Sequence, residues 1–133
     1  MVIGQGADQA LALLDQQALP ERLNWPGWLA YFYGAIPLLR GELLTELGRF
    51  TDAEEIFNGL LAFYQEQGVR MDLWQVHLAM GKVNLAAGNR KMAEASFASS
   101  RAIVGELAAT VPVGTMRDEF ERKALAQIAA ADL

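Results

Sequence analysis

The chain has 133 residues, of which 53% are hydrophobic, and it carries a formal net charge of −5. This length suits one compact domain. The absence of cysteine excludes disulfides and thiolate chemistry, and the lack of a basic stripe argues against nucleic-acid binding.

The first two predicted helices lie on either side of Pro20. Apolar spacing predicts a helix over residues 8–18, which Pro20 ends. A second helix is predicted over 28–47, with a kink at Pro37. The uncharged stretch 24–39 is shorter than the roughly 20 residues that a bilayer requires, and glycine and proline interrupt it. It therefore indicates a buried aromatic helix and not a membrane span.

Glycines and short polar residues set the predicted bounds of the third helix. Gly48 ends the preceding helix, and Thr51 with Glu54 has the spacing of a capping box. The helix that they open is expected to reach Gln67, where Gly68 closes it.

Three more helices complete the prediction. Asp72 is expected to cap a helix that ends at Gly88, and a fifth helix follows it and stops before Pro112. Thr115 and Asp118 are expected to cap the sixth. Six helices with short connections and no alternating strand pattern predict an all-α protein.

An internal repeat appears when the chain is shifted by 40 residues. The matched residues are those that control close helix packing: Gly41 with Gly81, Gly48 with Gly88, Ala53 with Ala93, Glu54 with Glu94, and Phe57 with Phe97. A glycine inside the first helix lets a second helix approach, and the alanine and aromatic residue share one face of that second helix. Such a self-match predicts a helical repeat protein.

Segments 41–57 and 81–97 resemble two tetratricopeptide repeats in this glycine, alanine and aromatic pattern. The resemblance implies a right-handed α-α superhelix of helical hairpins with a C-terminal capping helix. Within a single domain it places a partial preceding repeat at 8–18, repeat one at 28–67, repeat two at 72–110 and the capping helix at 115–131. The period of 40 exceeds the usual ~34 residues and fits a HEAT-type repeat better, which is the alternative.

Residues 107–120 are similar to the end of long repeat arrays in large bacterial signalling ATPases, which often carry a nucleotide-cyclase or DNA-binding output domain. The resemblance implies that the chain is the terminal part of such an array. It implies no ATPase or cyclase activity, since the chain has no phosphate-binding loop.

The sequence offers no set of catalytic or metal-ligating residues. His77 is the single histidine and lacks an orienting partner, so we expect a partly buried, hydrogen-bonded side chain. Asp52, Glu54 and Glu55 lie in the first turn of a helix, where the helix dipole stabilises negative charge. We predict that the protein is not an enzyme and holds no cofactor and no metal.

By the resemblance, the first helix of each repeat lines an inner, partner-binding face. The predicted face consists of Leu38, Glu42, Thr45, Gln75, Leu78, Lys82 and Leu85. Only Lys82 suits a clamp for a terminal carboxylate. This mixed, largely apolar face favours a partner helix or repeat surface.

We therefore expect a regulatory protein–protein interaction module, part of a larger signalling protein in the cytoplasm, with no nucleic-acid or membrane partner. Self-association into a homodimer is the alternative, because an apolar-rich array with few repeats can bury its open end against a copy. An enzyme or small-ligand pocket beneath Trp28, Tyr31 and Phe32 ranks last.

Overall fold

The computed structural model describes residues 27–68 and 70–132, with side chains from residue 37 onward, and also Gly6, Gln9 and Ala12, which are helical. The predicted helix over 8–18 otherwise lies outside the described residues. The described part holds five helices and no strand, which confirms the all-α prediction. They are α1 (Gly27–Glu46), α2 (Phe50–Gln67), α3 (Leu73–Ala86), α4 (Arg90–Thr110) and α5 (Thr115–Ala131).

The helices divide between two compact units, residues 1–69 and 70–133. In the first unit α1 packs against α2. In the second unit α4 packs against both α3 and α5, and α3 also contacts α5. The boundary falls between the two sequence repeats, so each unit contains the two packed helices of one repeat.

The turn between α1 and α2 repeats in detail between α3 and α4. In both, a glycine takes the left-handed conformation, with φ of 78° at Gly48 and 86° at Gly88. The next amide donates to the carbonyl five residues back, from Arg49 to Leu44 at 2.9 Å and from Asn89 to Asn84 at 2.8 Å. This bond satisfies a carbonyl that the helix end would leave open. The predicted glycine terminators are confirmed, and both segments form the same turn.

A glycine also lets an aromatic ring pack directly on the backbone of the first helix in each hairpin. A Cβ added at Gly41 would lie 2.6 Å from Cζ of Phe57, and one added at Gly81 would lie 2.8 Å from Cζ of Phe97. Both rings, and the alanine four residues before each, are fully buried. The predicted packing role of the repeated glycine, alanine and aromatic residues is confirmed.

The capping boxes are wrong, because the turns set where the helices begin. Arg49 is the N-cap of α2 and its carbonyl accepts from Ala53 at 3.1 Å, so Thr51 already lies inside the first turn. Likewise α5 begins at Thr115 itself, after Gly114. Asp72 occupies the predicted N-cap position of α3 but makes no side-chain capping bond.

Asn84 and Ser100 are the two polar residues that are buried in the described part of the second unit, and Asn84 is only partly satisfied. Its side chain is 1% exposed, and its Nδ2 donates to the carbonyl of Met80 at 2.9 Å. Its Oδ1 is buried without a partner among the described residues. The equivalent position in the first unit holds Leu44, which is buried in the core. An apolar side chain therefore fits this place in the repeat.

Asn84→Leu is expected to raise the free energy of unfolding by about 1–2 kcal/mol, because an unsatisfied buried acceptor is removed. The turn should persist, since it uses the main-chain carbonyl of residue 84. Urea denaturation of both forms measures the change. Asn84→Ala, which removes the amide without adding volume, is the control for crowding. A loss of stability in both variants would contradict the prediction.

Candidate functional site

The second unit contains a cleft of about 210 Å³ between the beginning of α3 and the middle of α5. It is lined by Trp74, Gln75, Phe120, Lys123, Ala124 and Gln127. Helix α3 supplies the first two of these residues and α5 supplies the other four. The cleft therefore lies where α5 meets the beginning of α3.

One wall of the cleft is fixed by a buried hydrogen bond between α4 and α3. Ser100 Oγ donates to the carbonyl of Trp74 at 2.8 Å, and Ser100 is fully buried. Trp74 is also buried, so the beginning of α3 is held in place by α4. A buried hydrogen bond of this kind specifies position because breaking it leaves a polar group unsatisfied.

The other wall is held by the C-terminal half of α5. Ile128 is fully buried and Ala124 is nearly so. Just past the helix end, the carboxylate of Asp132 pairs with Arg101 at 2.9 Å and with Arg90 at 3.9 Å, both on α4. These contacts leave the face of α5 that carries residues 120, 123 and 127 turned toward the cleft.

The cleft is lined by both apolar and polar side chains. Trp74, Phe120 and Ala124 supply apolar surface, while Gln75 and Gln127 supply carboxamides that both donate and accept hydrogen bonds. Lys123 adds one positive charge, and no carboxylate is among the lining residues. This arrangement can bury an apolar side chain while bonding to the polar backbone around it.

The predicted inner-face residues divide between the two units, and only Gln75 lines the cleft. On α1, Glu42 is exposed and Leu38 and Thr45 are half-buried; on α3, Lys82 is exposed and Leu85 is half-buried. Leu78 is 6% exposed and belongs to the core of its own unit, so it offers little surface to a partner.

Sequence reasoning missed five of the six lining residues. The i, i+3, i+4, i+7 spacing of Phe120, Lys123, Ala124 and Gln127 was the available signal. The spacing alone does not show that α5 contacts α3, and this contact brings the face beside Trp74. The alternative pocket at Trp28, Tyr31 and Phe32 lies outside the described side chains.

Two ionisable groups on or beside α3 are partly buried. Burial lowers the pKa of His77 below its ordinary value and raises that of the Asp72 carboxyl. His77 is half-buried as expected, but no hydrogen bond to its ring occurs among the described residues, which corrects that part of the prediction. Neither group lines the cleft.

Within residues 27–68 and 70–132, no group of three or more His, Cys, Asp or Glu side chains is arranged to hold a metal. No helix of the described part is long and apolar enough to cross a bilayer. No family model, curated protein or solved structure matches the chain. Any functional interpretation of the cleft therefore depends on its geometry and its lining residues alone.

Proposed function

We propose that the chain is a protein-interaction module of the tetratricopeptide-like class, and that the cleft between α3 and α5 binds another polypeptide. In this proposal it acts as a regulatory scaffold within a larger cytoplasmic signalling protein. The observation that carries the proposal is the cleft itself, which is lined by apolar side chains and by the carboxamides of Gln75 and Gln127.

Support for the repeat class comes from the two hairpins. They share the left-handed glycine, the hydrogen bond that follows it and the contact of ring with glycine. In such a repeat array, α3 and α5 would be the first helices of successive hairpins, and their shared side is where this class binds its partners. Gln75 is then the residue common to the predicted face and the cleft.

The size and chemistry of the cleft favour a polypeptide over a small molecule. Its volume of about 210 Å³ is below the ~300–1,000 Å³ typical of small-ligand sites. It suits a single bulky apolar side chain, around which Gln75 and Gln127 can bond to backbone amides and carbonyls. An anchor of this kind, surrounded by polar contacts, is typical of protein–protein interfaces.

Selection of a random displayed peptide library against the intact chain tests the proposal. Recovered peptides should bind Phe120→Ala and Gln127→Trp at least about tenfold more weakly than the unmodified chain, since each change alters the anchor site. The matched control is Met92→Ala, an exposed apolar residue on α4 outside the cleft.

Circular dichroism of each variant establishes that the helices are retained. Binding that is equal in all variants would locate the interaction elsewhere and refute the role of the cleft. Failure to recover any peptide that depends on the cleft would refute the proposed function.

A further inference from the structure

One side of α5 presents an exposed stripe that continues the cleft toward the beginning of the helix. Met116 is 78% exposed, Glu119 and Lys123 are exposed, and Phe120 is half-buried. Their i, i+3, i+4, i+7 spacing places all four on one side of the helix. We call these four residues the α5 stripe. It offers two apolar side chains and one charge of each sign.

The two charges of the stripe are not paired with each other or with other residues in the described part of the chain. Glu119 and Lys123 form no ion pair with any described residue, although they lie one turn apart. Some other charges of the same unit form ion pairs, as in Arg101 with Asp132 and Arg70 with Glu106. The stripe thus keeps an acceptor and a donor for an incoming surface.

We propose that a second copy of this chain docks on the α5 stripe, with the two α5 helices antiparallel about a two-fold axis. This inference rests on the proposed function and names the partner. Positions 119 and 123 are equidistant from position 121, so an axis at that level sets Glu119 of each copy opposite Lys123 of the other. Met116 and Phe120 of both copies are then covered, which removes exposed apolar surface from water.

Charge complementarity favours a copy over a foreign helix of a single sign. An acidic helix would meet repulsion at Glu119, and a basic helix would meet it at Lys123. A two-fold axis presents the same patch to itself, so each favourable contact occurs twice. The stripe carries the alternation of sign that such self-pairing requires.

Sedimentation equilibrium of the intact chain, from micromolar to millimolar concentration, tests the proposal. We expect a monomer–dimer equilibrium. Lys123→Glu leaves two acidic residues facing two others across the axis, so the dissociation constant should rise about tenfold or more. The double variant Glu119→Lys/Lys123→Glu exchanges the charges and should restore dimerisation to within about threefold.

Arg122→Glu is the matched control, because Arg122 is an exposed base on the same helix that does not line the cleft. Arg122→Glu changes the net charge by the same amount as Lys123→Glu. Its dimer dissociation constant should nevertheless stay close to that of the unmodified chain. A Lys123→Glu effect no larger than that of Arg122→Glu, or a charge exchange that restores nothing, would overturn the proposal.

A chain that remains monomeric at every concentration would also overturn it. The peptide selection separates this failure from failure of the proposed function, since it is performed on dilute chain. If the chain is monomeric but binds the selected peptides in a way that depends on Phe120, the proposed function stands and the second copy is excluded as the partner.

Discussion

Phe97→Ala is expected to lower the free energy of unfolding by about 3–5 kcal/mol, because a fully buried ring is lost and a cavity remains. The cavity should collapse little. The ring packs against the backbone at Gly81, which has no side chain to move into the space. Urea denaturation followed by far-ultraviolet circular dichroism measures the loss.

Phe57→Ala provides the internal comparison, because Phe57 makes the same contact with Gly41 in the other hairpin. We expect a similar cost for the two rings. Met92→Ala, on the exposed side of α4, should change stability by less than about 0.5 kcal/mol. If Phe97→Ala behaved like Met92→Ala, the ring would not be a main element of the core.

Gly81→Ala should destabilise the protein by about 1–3 kcal/mol even though alanine favours helix by about 1 kcal/mol over glycine. The added Cβ would lie 2.8 Å from Cζ of Phe97, and that ring is fully buried and cannot swing away. The two helices must separate to admit the methyl group. Thermal and urea denaturation of the variant measure the cost.

A double-mutant cycle distinguishes this clash from a general loss of helix stability. Phe97→Leu shortens the side chain, so it should cost less in the Gly81→Ala background than alone. Gly105→Ala is the matched control, since a Cβ there meets nothing within 4 Å and should raise stability by up to about 1 kcal/mol. Additive costs at positions 81 and 97 would show that the two residues are not in contact.

The sequence predicted the five described helices and the turns at Gly48 and Gly88, because their determinants are local. The backbone at Gly48 and Gly88 is left-handed, a conformation that glycine adopts readily and other residues adopt rarely. Glycines at these positions can therefore be recognised from the sequence alone. The close approach of the second helix at Gly41 was inferred from the repeat offset of 40, but the direct contact of the Phe57 ring with Gly41 was found only in the structure.

The N-cap of α2 and the cleft could not be predicted, because they depend on the inter-helix turn and on packing between helices. Thr51 has the spacing of an N-cap residue relative to Glu54. The turn at Gly48, however, places Arg49 at the N-cap position of α2. The cleft arises where α5 lies beside the beginning of α3, and no residue pattern within either helix states that they meet. The residues that line the cleft could therefore be identified only from the structure.

The buried hydrogen bond from Ser100 to the Trp74 carbonyl should increase the affinity for a partner. Because it holds one wall of the cleft before anything arrives, a docking polypeptide would not have to order that wall. Preorganised sites lose less conformational entropy on binding, so more of the contact energy appears as affinity. Loosening Ser100 should therefore weaken association even though its hydroxyl never touches the incoming chain.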